Sequence, residues 1–354
     1  MKIGFVRRGH SHTGGAEAYM LRIADSLHSL GHSTPLITTA DWPSDRWPYG
    51  TIHRLHAKSP ESFARAFPAA NTGCDIHFSF ERVPGCEIFR AGDGVHAAWL
   101  DRRKAFDPPW KRLTRFLNRK HAHIVALERQ VFDATNTRSV IANSQMVKDE
   151  IISRYSYPAE RIVVVYNGIT VPHPGLERSA ARTRFGIEPD SFCPLFLGTG
   201  WERKGLKTAL RAVEMMENTQ LLVAGRGPAD LYRSSNAIFT GPVREVPDLF
   251  AAADLLVLPT WYDPFSNACL EALSAGLPVI TTSANGFSEI IESGVHGEVI
   301  QAGDALACAN AMEEWRKESR CRDAAETCRS LAAEYSMQRN AAETIAVLKS
   351  AACR

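Results

Sequence analysis

The chain has 354 residues, of which 45% are apolar and 23% charged, with a formal net charge of +2. That length suits two domains, the composition is that of a globular protein, and so small a net charge argues against a nucleic-acid partner. No apolar run is long enough to cross a bilayer as a helix, and the eight cysteines are scattered without a C-x-x-C pair, so neither a disulfide framework nor a zinc site is expected and a reduced, cytoplasmic setting is.

Met1 leads directly into Lys2–Arg7, an apolar run too short for a signal peptide and suited to a first buried strand. Gly14 and Gly15 follow, and Gly15–Leu30 has apolar residues at helical spacing with Gly31 as its stop. Further strands are expected at Thr34–Thr38, Ile76–Phe80, Val140–Asn143 and Ile162–Tyr166, with a long helix over Trp110–Phe132. Phe89-Arg90-Ala91-Gly92-Asp93-Gly94-Val95-His96 places two titratable side chains after a strand-like run, where Asp93 could orient or deprotonate an acceptor hydroxyl and His96 could assist near neutral pH.

The turn-rich segment Asn167–Arg178 marks a linker, with the boundary drawn between residues 168 and 169. Strand and helix patterns then restart: Pro194–Gly198, Gly205–Met216, Leu221–Gly225, Val246–Ala252, Leu255–Pro259, Phe265–Ala275 and Val279–Thr281 alternate, and the chain is helical from Ala305. Such alternation predicts an α/β protein of two doubly wound parallel-sheet domains, residues 1–168 and 169–330, with a ligand cleft between them and a C-terminal helix over 331–354 packing back toward the first domain.

Two segments of the second half carry charge at strand–helix turns. Gly198-Thr199-Gly200-Trp201-Glu202-Arg203-Lys204-Gly205 puts two cations at a helix start, where the macrodipole disfavours them unless an anion is bound. In Asp263-Pro264-Phe265-Ser266-Asn267-Ala268-Cys269-Leu270-Glu271, Asp263 is expected as N-cap and Pro264 at the first helical position. The N–H groups of Phe265, Ser266 and Asn267 would then face an anion, and Glu271 lies two turns beyond Asp263 on one face. A carboxylate there suits a vicinal diol such as a ribose.

These motifs, with the Ala275-Gly276-Leu277-Pro278-Val279-Ile280 tail, resemble the acidic–x7–acidic pattern and the Arg…Lys-Gly diphosphate site of retaining GT-B glycosyltransferases of family 4. The Ala91-Gly92-Asp93 sequence resembles the lipopolysaccharide core glucosyltransferases within it. The resemblance implies metal-independent transfer of a hexose, glucose from UDP-glucose being favoured, to a glycan or lipid-linked acceptor such as lipopolysaccharide core, with retention of anomeric configuration. It implies Arg203, Lys204, Asp263 and Asp93 as catalytic residues. It places the donor on Gly14, Gly15, Gly200, Arg203, Lys204, Arg226, Val243, Phe265, Ser266, Asn267 and Glu271, and the acceptor near Asp93 and His96. Asp at position 263 stands where the family usually has Glu, one methylene longer. Transfer of mannose or N-acetylglucosamine, a nucleotide-sugar epimerase and a non-catalytic sugar-nucleotide binder are the alternatives. A nicotinamide enzyme is disfavoured because no G-x-G-x-x-G spacing follows a strand.

Residues 99–123 carry eight Lys or Arg interleaved with Trp and Phe, which suits an anionic membrane surface and predicts peripheral attachment to the inner face of the membrane.

Overall fold

The computed structural model describes residues 1–10, 15–69, 72–107, 119–171, 173–317 and 320–352. The chain divides into two compact units, residues Met1–Gly168 with Met337–Arg354, and Ile169–Ser336.

The first unit is built on seven parallel strands, β1 (Ile3–Val6), β2 (Leu36–Thr39), β3 (Ile52–Leu55), β4 (Ile76–Ser79), β5 (Ile88–Ala91), β6 (Ser139–Ala142) and β7 (Ile162–Val164), in the order β3-β2-β1-β4-β5-β6-β7. The second has β8 (Pro194–Leu197), β9 (Leu221–Ala224), β10 (Ala237–Gly241), β11 (Leu255–Leu258), β12 (Val279–Thr282) and β13 (Gly297–Ile300), in the order β10-β9-β8-β11-β12-β13. Central strands such as Ile3-Gly4-Phe5-Val6 and Leu255-Leu256-Val257-Leu258 are buried throughout, as parallel strands covered by helices on both faces must be. Both units are therefore doubly wound. Each has one place where the strand order reverses, between β1 and β4 in the first unit and between β8 and β11 in the second, the position at which doubly wound sheets offer a ligand crevice at their carboxyl ends.

Departures from the sequence-based elements lie mostly at edges and helix starts. Edge strand β3 reads Ile-His-Arg-Leu and is only half-buried, so it lacks the apolar run that marks its neighbours. Of the long helix expected over 110–132, the described part is Arg119–Val131, residues 108–118 lying outside the described residues. The chain returns to the first unit at Met337, six residues later than the boundary at 331, because Ala325–Glu334 is a helix of the second unit.

The final helix, Met337–Ala352, completes the first unit's core. Met337, Ala341, Ile345 and Leu348 pack with Tyr19, Met20 and Ile23 of the helix Gly15–Ser29 and with an aromatic group of Phe5, Phe78 and Phe80. Polar bonds fix its register: Tyr19 Oη donates to Asn340 Oδ1 at 2.7 Å, and Asn340 Nδ2 donates to the Tyr166 carbonyl at 2.6 Å. Leu348 is fully buried, so Leu348→Ala is expected to lower the unfolding free energy by about 2–5 kcal/mol in urea titration.

Candidate functional site

In the second unit, β8 and β11 lie side by side, and the loops that follow them, residues 198–205 and 259–266, meet at the reversal point. The Arg203 carbonyl accepts from Trp261 N–H at 2.8 Å and from Thr260 Oγ1 at 2.9 Å, which ties the loops together. Lys204 Nζ then reaches Asp263 Oδ2 at 3.0 Å, and both side chains are buried. Arg203 Nη1 donates to the Tyr262 carbonyl at 2.7 Å and stands 3.9 Å from the same Asp263 oxygen, with its side chain 32% exposed. Two glycines make this approach possible. A Cβ on Gly198 (φ +148°) would sit 2.7 Å from the Lys204 stem, and one on Gly205 (φ +80°) would sit 2.0 Å from the Pro259 carbonyl oxygen.

Asp263 is thus the counter-ion of Lys204 and does not cap the helix as expected. The helix is Asn267–Ala275, with Ser266 as its N-cap residue. Burial alone would raise the Asp263 carboxyl, but the Lys204 and Arg203 charges outweigh burial and hold it below its ordinary range. Asn285, after β12, takes over the loop's organisation. Its Oδ1 accepts from the N–H groups of Ser266 (3.2 Å) and Phe287 (3.1 Å), its Nδ2 donates to Thr281 Oγ1 (3.0 Å), and its neighbours Ala284 and Gly286 bond the Asp263 backbone.

The Ser266 hydroxyl is left buried without a hydrogen bond of ordinary geometry. It lies at a helix amino terminus, where first-turn N–H groups have no intrahelical acceptors and the dipole contributes about half a positive charge. With Lys204 neutralised by Asp263, Arg203 supplies the remaining full positive charge. A partly exposed guanidinium, a helix amino end and a hydroxyl without a hydrogen bond of ordinary geometry together suit a phosphate group. Glu271 is on the second turn of that helix, half-buried. Gly200, the exposed Arg226 and half-buried Val243 lie on the loops after β8, β9 and β10, at the same end of the sheet. Phe265 and Ser266 precede the helix and Asn267 opens it; the Phe265 and Ser266 N–H groups expected to face an anion are instead taken by the Asp263 carboxylate and by Asn285 Oδ1, because the loop folds back on both.

In the first unit the reversal point is occupied by Arg7, after β1. Its Nη2 bonds Glu17 Oε1 at 2.9 Å, and its Nη1 lies 4.0 Å from both Glu81 Oε2 and Asp93 Oδ2. Asp93, on the loop after β5, keeps its side chain 57% exposed. Burial pushes the Glu81 carboxyl up, Arg7 opposing and Asp93 adding to the shift. His96 does not fit the role of acid or base near neutral pH. Burial, the Arg82 charge and His121 push it down to about 4, and its Nε2 stands 3.0 Å from His121 Nδ1. Gly15 opens the helix Gly15–Ser29, and Gly14 lies outside the described residues.

Sequence reading overlooked Arg7, Glu81, Arg82, Glu128 and Asn285, whose partners are distant along the chain. Among the described residues, no group of three or more His, Cys, Asp or Glu side chains could hold a metal ion.

The family model for glycosyl transferases group 1 matches residues 193–317, and that for glycosyltransferase family 4 matches residues 88–171. The chain belongs to the group 1, family 4 glycosyltransferases. It is 26% identical over 320 residues to the lipopolysaccharide glucosyltransferase WaaG of Escherichia coli K12, covering 81% of this chain and 82% of that protein. It is 28% identical over 207 residues to a D-inositol 3-phosphate glycosyltransferase of Streptomyces avermitilis, covering 50% of this chain and 44% of that protein. The crystal structure of WaaG superposes with a TM-score of 0.79 at 21% identity, covering 97% of this chain and 98% of that one. Anabaena HepE in complex with UDP-glucose gives 0.75 at 18%, covering 98% and 99%. The two Rossmann-like units of this glycosyltransferase are a GT-B fold.

The basic stretch expected to meet a membrane is partly engaged within its own unit. Arg102 pairs with Glu150 at 2.8 Å and Arg103 with Asp107 at 3.2 Å, while Lys104 and Arg154 share Asp101 at 2.5 and 2.7 Å. Lys111, Arg112 and Arg115 lie outside the described residues. No helix among the described residues is long and apolar enough to cross a membrane.

A carboxyl held below the unfolded value of about 3.9 stabilises the fold above that pH, and the stabilisation is lost as pH falls through the folded value. Asp263→Asn leaves Lys204 buried without its counter-ion and is expected to cost about 3–5 kcal/mol at pH 7. Urea titrations at pH 7 and pH 3 should find the gap between variant and wild type shrinking at the lower pH.

Proposed function

We propose that this glycosyltransferase moves a hexose, glucose from UDP-glucose, to a glycan or lipid-linked acceptor such as lipopolysaccharide core, with retention of configuration and without a metal ion. One observation carries the donor assignment: the exposed edge of Arg203, the Ser266 hydroxyl and a helix amino end converge at the reversal point of the second sheet. That group can hold a diphosphate and stabilise the charge that develops as the sugar–oxygen bond breaks. Lys204 acts through Asp263, fixing the loop that presents Arg203. Glu271 accepts from the ribose diol, and Val243 and Arg226 lie on the loops nearest to where the base would extend. Asp93 receives the acceptor hydroxyl, its exposed carboxylate steadied by Arg7. Breaking the glycosidic bond transfers the electron pair to the diphosphate oxygen, and the acceptor oxygen forms the new bond as it passes its proton to the Asp93 carboxylate.

The names of two similar proteins, a lipopolysaccharide glucosyltransferase and one crystallised with UDP-glucose, support the choice of sugar and acceptor class. A cytoplasmic location at the inner face of the membrane would bring such an acceptor within reach; the test is sedimentation with anionic vesicles before and after Arg119→Gln and Lys120→Gln.

The direct test of the donor is a thermal-shift series with UDP-, GDP- and ADP-glucose, repeated with EDTA. UDP-glucose should give the largest shift, unchanged by the chelator; preference for another base, or dependence on a metal, would contradict the assignment. The anomeric proton coupling of the product reports retention or inversion. Arg203→Ala should lower turnover about 10²–10³-fold while the melting temperature stays near wild type. Glu271→Gln should weaken UDP-glucose binding about 10-fold by calorimetry, as loss of a charged hydrogen-bond acceptor does.

A further inference from the structure

Beside the Asp93 loop lies an ion pair of a partly buried arginine, Arg82, with a fully buried carboxylate, Glu128. Glu128, in the helix Arg119–Val131, is fully buried. Its Oε1 accepts from Arg82 Nε at 3.1 Å and from the His96 N–H at 2.6 Å. Its Oε2 accepts from the Ala97 N–H at 3.0 Å and from Tyr155 Oη at 2.8 Å. Arg82, on the loop after β4, completes the pair with Nη2 at 2.9 Å from Glu128 Oε1, and the same nitrogen donates to the Gly94 carbonyl at 3.0 Å. On the other side of Asp93, Asn143 Nδ2 donates to the Gly92 carbonyl at 3.2 Å. The carbonyls on both sides of Asp93 are thus held by side chains from separate elements, the partly buried Arg82 and the buried Asn143, and the amino end of the next helix, His96–Arg103, is met by the same Glu128 carboxylate.

We infer that Arg82 and Glu128 are positioning residues for Asp93, gripping the Gly92-Asp93-Gly94 turn so that its carboxylate is presented in one place. The inference rests on Asp93 acting on the acceptor side. An aspartate flanked by two glycines sits on backbone with high conformational freedom, and its carboxylate is exposed, so nothing in its own segment fixes it. A buried Arg–carboxylate pair adds little net stability compared with apolar packing of the same volume. Its yield here is geometric: a planar fork that meets a carboxylate with two nitrogens and a loop carbonyl with one of them. A displacement of about 1 Å at a reacting group costs on the order of 10²-fold in rate.

The test uses the full chain and two variants, Arg82→Lys, which keeps the charge but cannot reach Glu128 and Gly94 together, and Glu128→Gln. The readouts are UDP release from UDP-glucose, with inner-core lipopolysaccharide or water as acceptor, and UDP-glucose affinity by calorimetry. Each variant is expected to lose about 10- to 100-fold in kcat with donor affinity within twofold of wild type. In a double-variant cycle, Arg82→Lys combined with Asp93→Asn should be no slower than Asp93→Asn alone, because the clamp has nothing left to position. A merely structural pair would instead slow the enzyme further on top of Asp93→Asn, and that multiplicative loss overturns the inference. Loss of the cooperative thermal transition in both variants assigns the pair to the core and overturns it too. If Asp93→Asn alone equals wild type, the acceptor role of Asp93 fails, and the inference with it; if Asp93→Asn is impaired but the clamp variants are not, only the inference fails.

Discussion

Lys204 and Asp263 lie 59 residues apart in sequence and 3.0 Å apart in space, and the reversal point of the second unit is arranged around their contact. Both groups are buried, so each would be costly alone, and each tolerates burial only because the other is present. Joining them fixes two loops that leave neighbouring strands in opposite directions. It also determines what Arg203 can do. With Lys204 neutralised, the guanidinium next to it carries the charge available to a ligand, beside a helix amino end whose N-cap hydroxyl makes no hydrogen bond of ordinary geometry. The glycines at 198 and 205 are the steric condition for this contact, since a side chain at either would occupy the lysine stem's path or collide with the Pro259 carbonyl.

The first unit repeats the principle with opposite emphasis. Its reversal point is occupied by an arginine ringed by three carboxylates, Glu17, Glu81 and Asp93. The second unit's crevice thus suits an anion and the first unit's suits hydroxyl groups that need acceptors. A transferase joining a sugar nucleotide to a hydroxylated acceptor requires both chemistries, and the proposed function assigns one to each unit.

Much of this was legible in the sequence. The buried strands stood out as continuous apolar runs, and the two cations at 203 and 204 stood out because a helix start is a poor place for them without an anion. Edge strand β3 was missed because only one side of it is covered. Asp263 was assigned to the correct loop and the wrong partner: next to a proline at a helix start it reads as a cap, and nothing local reveals a lysine from the preceding loop pair. Asn285 replaces it, bonding the Ser266 N–H from 19 residues away, and Glu128 sits within a helix where a carboxylate ordinarily faces water. His96 looked available for proton transfer, yet burial beside Arg82 and His121 leaves it neutral. In each case the missing information was a contact between elements, which spacing along one element does not encode.

Recognition of the diphosphate by the Arg203 and Ser266 crevice is the central claim, and comparing UDP with UMP by titration calorimetry tests it most directly. The account predicts that UDP binds at least about 10-fold more tightly than UMP, a difference of about 1.4 kcal/mol, and that Arg203→Ala removes most of that difference. Equal affinities for UDP and UMP in the wild-type protein would contradict it.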